Sequence, residues 1–154
     1  MRILVDADAC PVKKYIVKIA QAFAIPVIMI MDTSHELSDG YSTVITVDKD
    51  RDSVDYALMK MLSAEDIVVT QDFGLAAMVL GKGARALNQN GLIYTDDNIE
   101  RLLFERFLGQ KVRRSGGRTN NPRKRCPEED EKFAKALLMM IGQDISDEMR
   151  RKDS

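Results

Sequence analysis

Histidine is almost absent from this chain, and cysteine nearly so. His35 is the only histidine in 154 residues, and Cys10 and Cys126 are the only cysteines. A single histidine excludes multi-histidine zinc sites and triads that need a second imidazole. Two cysteines so far apart form no CxxC pair, which argues against a structural zinc site and a disulfide framework. A reducing, cytoplasmic setting is expected. Long apolar runs are lacking too. The longest, around 16–31, is broken by Lys18, Gln21 and Pro26, so no membrane span is expected. In the opening MRILVDADAC an acid comes after only a short apolar run, so no secretory signal is expected. Nor does one sign of charge dominate. With 23 basic and 24 acidic side chains the net charge is −1, so no global field draws in nucleic acid or membrane. Any such attraction must be local, and acid–base or metal chemistry must rest mainly on carboxylates.

What is present is a repeated alternation of strand and helix. Apolar β-branched runs at 3–5, 27–31, 43–47 and 67–70 read as buried strands. A weaker strand is expected at 84–87 and another at 92–94. Between them lie helical stripes: Val12, Ile16, Ile19 and Phe23 in one, Val54, Leu58, Met61 and Leu62 in another, then LAAMVL ended by Gly81 and Gly83. Asp52 or Ser53 can cap the second helix. A further helix is expected from about 95 to 108. Strands without alternation are covered on both faces. The expected fold is therefore a three-layer α/β domain over residues 1–142, with a mostly parallel central sheet and helices on both faces. A docking helix is expected at 127–141, opened by Pro127 and carrying Phe133, Leu137, Met140 and Ile141. Residues 143–154 read as a polar tail.

The strands share one feature: they end in aspartate. Asp6 and Asp8 follow the first, Asp32 the second, Asp48 the third, Asp72 the fourth, and Asp96 with Asp97 the last. Parallel strands bring their carboxyl ends to one edge, where open sheets bind ligands. Asp52 and Asp55 open a helix at that same edge. Gathered carboxylates repel one another, and a divalent cation relieves the repulsion. Mg²⁺ or Mn²⁺, which take hard oxygen ligands, would suit such a cluster and support hydrolysis at phosphorus. Aspartate is also a common turn former and helix cap, and for any one of these residues that reading suffices.

The segments VDADACPV at 5–12, VVTQDFGLAAMVLGKGA at 68–84 and YTDDNIERLL at 94–103 carry a resemblance. The chain resembles, over nearly its whole length, the YaiI/YqxD family of bacterial proteins, related to PIN-like domains. The resemblance implies a PIN-like α/β fold and a site that holds Mg²⁺ or Mn²⁺ and cleaves RNA. It implies Asp6, Asp72 and Asp96 or Asp97 as metal ligands; on a nuclease reading, Asp6, Asp8 and Asp72 are the residues expected in catalysis. Where such domains carry a glutamate on a helix, this sequence offers Asp52 and Asp55.

A basic stretch adds a partner. KVRRSGGRTNNPRKR holds Lys111, Arg113, Arg114, Arg118, Arg123, Lys124 and Arg125 and no acid. It reads as a flexible loop able to neutralise RNA phosphates; the alternative is a solvated charged loop. Thr70 is a candidate for a phosphate or water contact, and Tyr94 for stacking on a base. Both are also good strand residues. Cys10 reads as packed rather than nucleophilic, and His35 as uninvolved. Three functions compete. The first is a metal-dependent ribonuclease, with homodimerisation as a further expectation. The second is a haloacid-dehalogenase-type phosphatase, in which Asp6 attacks phosphorus and Asp8 is the acid. The third is an RNA-binding module without catalysis.

Overall fold

Ile3, Leu4 and Val5 are fully buried, and their neighbours in space explain why no polar residue interrupts them. They form β1 (Ile3–Asp6), flanked on both sides by other strands and covered above and below by helices. The structure is a computed structural model that describes residues 1–32, 38–48, 53–114, 116 and 124–153, with backbone alone for 113 and 114. His35, Asp52, Arg118 and Arg123 lie outside the described residues.

The elements that follow are α1 (Lys13–Ala22), β2 (Val27–Asp32), β3 (Thr43–Val47), α2 (Val54–Met61) and β4 (Ile67–Val69). Then come α3 (Phe73–Gly81), β5 (Arg85–Leu87), α4 (Asp96–Arg114) and α5 (Pro127–Lys152). The five strands are all parallel, in the order β3-β2-β1-β4-β5. The chain thus starts at the centre, winds outward to β3, returns across β1 to β4 and winds outward again to β5.

The pleat sorts the core into two layers, because successive strand residues face opposite sides. Ile3, Val5, Val27, Met29 and Ile67 pack with Val12, Ile16 and Ala20 of α1 and Phe133, Leu137, Met140 and Ile141 of α5. Leu4, Ile28, Ile30 and Val68 pack on the other face with α2, α3 and α4, through Leu58, Leu75, Val79, Ile99 and Leu102. This is the three-layer α/β sandwich expected, closed on one side by the C-terminal helix.

Local signals set the helix ends. Ser53 caps α2: its Oγ accepts the Tyr56 N–H at 3.0 Å. Asp72 caps α3 by accepting the N–H groups of Gly74 and Leu75. Gly83, at φ +87°, takes the left-handed position just past the end of α3 that a side chain would oppose. Gly91 meets a second demand. At φ +83° it also lies so close to α5 that a Cβ would stand 2.5 Å from the Lys132 carbonyl oxygen.

Three sequence expectations are corrected. Residues 92–94 form no strand of the sheet; Ile93 makes an isolated antiparallel bridge to Leu87 after a turn closed by Asn88, whose Oδ1 accepts the Asn90 and Leu92 N–H groups. Helix α4 runs past 108 to Arg114, so the first part of the basic stretch is helix rather than loop. Lysine and arginine are good helix formers, and the helix carries Gly109, the weakest helix former between 108 and 114, in its interior. Helix α5 likewise runs past 141 to Lys152, so most of the expected polar tail is helical. Gly142 sits inside it. Acids Glu128, Glu129 and Asp130 open α5 and Arg150, Arg151 and Lys152 close it, matching the helix dipole at both ends.

Candidate functional site

Asp6 ends β1, and Asp72 follows β4 by three residues. These strands are hydrogen-bonded neighbours at the centre of the sheet, about 4.8 Å apart. Thr70 links the two acids. It is 2% exposed; its hydroxyl donates to Asp6 Oδ2 at 2.9 Å and accepts the Asp72 N–H at 3.0 Å. Tyr94 fixes Thr70 in turn, donating its hydroxyl to the Thr70 carbonyl at 3.0 Å and packing edge-on against Phe73. With 2% exposure Tyr94 cannot stack on a base, and burial pushes its phenol up in pKa. Both residues are thus supports beneath the acids. On the far side, the Gln71 side-chain amide donates to the Ala9 carbonyl and ties the loop after β4 to the loop after β1.

Above them lies an open cleft of about 360 Å³ lined by Asp6, Gln71, Asp72, Phe73 and Arg106. Asp55 joins from α2, which crosses over β1 and β2 and starts at the carboxyl edge. Burial holds the Asp6 carboxyl above the usual carboxylate range; the Thr70 bond opposes this, and the charges of Asp55, Asp72 and Asp8 add to it. Asp55 is raised as well, by burial and then by Asp72, with Arg106 pulling it down. The acids therefore feel one another across the cleft. Asp8 is exposed and turns toward β2, where its carboxylate accepts the Asp32 N–H at 3.0 and 3.3 Å.

Arg106 comes from α4 and was not apparent from the sequence. Its Nη1 lies 3.3 Å from Asp72 Oδ1, with the side chains 48% and 35% exposed. Among the described residues, every side-chain partner of Asp72 falls on Oδ1. No local pattern marks Arg106. Only the packing of Ile99 and Leu102 against the sheet carries this stretch of helix to the cleft.

The other expected acids lie elsewhere. Asp96 and Asp97 open α4, ten residues before Arg106, about 15 Å back along the helix axis. The structure does not bring them to Asp6 and Asp72. Asp48 follows β3, the edge strand two positions from β1. Among the described residues, no three histidine, cysteine, aspartate or glutamate side chains stand close enough to hold one ion. The donor set at the cleft is Asp6 and Asp72 with Asp55 nearby. It fits Mg²⁺ or Mn²⁺ held by one or two carboxylates, with water and substrate oxygens completing the shell. It does not fit an all-protein cage.

The basic stretch is partly absorbed by the fold. Arg125 donates to Asp130 Oδ1 at 2.7 Å, to Asn90 Oδ1 at 2.6 Å and to the Gln89 carbonyl at 2.6 Å. These bonds clamp the start of α5 to the turn after β5, so Arg125 is an anchor rather than a phosphate ligand. Lys111 and Lys124 are exposed, and the backbone of Arg113 and Arg114 is helical. Cys10 packs against the core, and burial pushes its thiol up, which suits a structural cysteine.

No helix among the described residues is long and apolar enough to cross a membrane. No solved structure matches the chain. Among curated proteins, a UPF0178 protein of Ruminiclostridium cellulolyticum is 71% identical over 141 residues, 92% of each chain. UPF0178 proteins of Clostridium kluyveri and Clostridium tetani are each 51% identical, over 92% of this chain and 93% and 97% of theirs. A family described as "Uncharacterized BCR, YaiI/YqxD family" matches residues 4–143, which hold the sheet from the second residue of β1 onward and the whole acidic cleft, and the chain belongs to it.

Proposed function

We propose that the protein is a divalent-metal-dependent nuclease that hydrolyses phosphodiester bonds, with RNA as its substrate. One observation carries this reading: Asp6 and Asp72, on adjacent central strands and joined through Thr70, face the same open cleft. Burial, with added repulsion from Asp55, Asp72 and Asp8, makes Asp6 costly to keep charged without a cation. A bound Mg²⁺ or Mn²⁺ would supply an activated water and neutralise charge on the leaving oxygen.

The chain's own residues then have distinct tasks. Asp6 and Asp72 would hold the cation, Thr70 fixes the angle of the Asp6 carboxylate, and Asp55 adds negative charge at the cleft wall. Asp8, exposed beside them, would orient a water. The cleft is open enough for a polymer, which suits a backbone substrate better than a small ester. Lys111 and Lys124 would meet phosphates further along the strand.

The test is cleavage of labelled single-stranded RNA with Mn²⁺, Mg²⁺ or chelator, beside Asp72→Asn. Asparagine keeps the cap on α3 and removes the charge. Metal-dependent cutting lost in Asp72→Asn supports the proposal. No cutting across a panel of RNAs refutes it. RNA binding unaffected by the substitution would then favour a non-catalytic module, and a covalent phosphoryl group trapped on Asp6 would favour a phosphatase.

A further inference from the structure

We propose that Arg106 exchanges partners: it holds Asp72 when the cleft has no cation and turns to the substrate phosphate when a divalent cation takes Asp72. This rests on the metal-dependent reading above and extends it to a residue that the acids alone do not suggest.

Four observations support the exchange. The contact is single-pronged, Nη1 to Oδ1 at 3.3 Å, although a guanidinium can grip a carboxylate with two parallel bonds. Both side chains are partly exposed, so water competes for the pair and it opens readily. Asp72 has no structural need of the arginine, since the Gly74 and Leu75 N–H groups already fix it as the cap of α3. Finally, among the described residues Arg106 is the one cation lining a cleft that also presents Asp6 and Asp72.

The last observation gives the arginine a task. An anionic strand approaching these acids meets repulsion, and a cation on the cleft wall offsets it. The guanidinium fork has five N–H donors, of which one is engaged with Asp72. Among the described residues the others have no side-chain partner, and they can turn to phosphate oxygens. Ile99 and Leu102 are buried, so α4 holds the Arg106 backbone in place while its long side chain swings. A metal ion on Asp72 and a guanidinium on Asp72 compete, and each must weaken the other by the same factor. Substrate binding would then rise on metal binding, because the metal releases the arginine.

The experiment measures two affinities in wild type, Arg106→Gln, Arg106→Lys and Asp72→Asn. Mn²⁺ binding is read by titration calorimetry. Binding of a phosphorothioate single-stranded RNA, chosen to resist cleavage, is read by anisotropy with chelator and with Mn²⁺. Arg106→Gln should bind Mn²⁺ about two- to fivefold more tightly. The same variant should bind the RNA about tenfold more weakly when Mn²⁺ is present. Arg106→Lys keeps the charge without the fork, so it should restore the Mn²⁺ affinity of wild type and only part of the RNA affinity. Mn²⁺ affinity unchanged in Arg106→Gln, with loss in Asp72→Asn, overturns the exchange and leaves the metal site standing. RNA affinity unchanged in Arg106→Gln with Mn²⁺ also overturns it. Mn²⁺ binding that survives Asp72→Asn removes the metal reading itself, and the exchange with it.

Discussion

Asp66 immediately precedes β4 and Asp6 ends β1, one at each edge of the sheet, and their surroundings have opposite sign. Asp66, at the amino edge, is 2% exposed and accepts from the Arg2 N–H, from Arg2 Nε and Nη2, and from the Ser63 N–H. Nearby, Arg85 opens β5 and pairs with Asp144 at 2.5 Å while donating to the Met140 carbonyl. At the carboxyl edge Asp6 meets Asp8, Asp55 and Asp72, and among the described residues its donor side chain is the neutral Thr70. A buried acid with a matched cation and satisfied oxygens holds strands together. Half-buried acids that repel one another across an open cleft do not bind one strand to the next, even where Asp72 also caps α3, and their placement points to a ligand.

Removing the charge of the acid at each edge should therefore change stability in opposite directions. The largest effect is expected from Asp66→Ala, which strips the Arg2 guanidinium of its carboxylate. It should destabilise the fold by roughly 2–4 kcal/mol, read from urea unfolding. Arg125→Ala comes next. Losing the clamp on Asp130, Asn90 and Gln89 should cost about 1–2 kcal/mol while leaving RNA affinity unchanged. A loss of RNA affinity larger than any loss of stability would return Arg125 to the nucleic-acid surface.

The smallest effect has the other sign. Asp6 and Asp55 both have folded pKa values above the usual carboxylate range. The folded state then holds their protons more tightly than the unfolded chain does. Stability falls as pH rises from the ordinary value of 3.8 through the raised folded values, and stays lower above them. Without metal, Asp6→Asn should therefore be the more stable protein near neutral pH, by about 1 kcal/mol or less, with the advantage vanishing in acid. Unfolding midpoints with chelator at the two pH values check this. An Asp6→Asn variant less stable than wild type at neutral pH would make Asp6 a structural acid like Asp66.

The sequence made one edge of this molecule far more legible than the other. Strands β1 to β4 are short apolar runs, and each is followed closely by aspartate, so Asp6, Asp8 and Asp72 could be placed at a shared edge from connectivity alone. The Arg2–Asp66 pair could not, because its partners are 64 residues apart and neither sits in a motif. Arg106 was hidden for the same reason. Its neighbours in sequence, Glu105 and Phe107, are exposed, and only tertiary packing brings α4 to the cleft. Asp96 and Asp97 misled in a particular way. They follow an apolar triplet that resembles a strand, but that triplet turns back on β5 in the opposite direction. The acids after it therefore leave the carboxyl edge. The helix ends were missed where Lys, Arg and Gly were read as loop formers, although charged residues extend exposed helices readily.

The most direct measurement is the thermal unfolding of wild type and of the Asp6→Asn, Asp72→Asn double variant, each with chelator and with increasing Mn²⁺. A cation that binds the folded state at these acids must raise the midpoint of wild type in a saturable way. The double variant, its cleft neutralised, should show no such rise. A wild-type midpoint indifferent to Mn²⁺, or an equal rise in both proteins, would contradict the claim that Asp6 and Asp72 hold a metal ion.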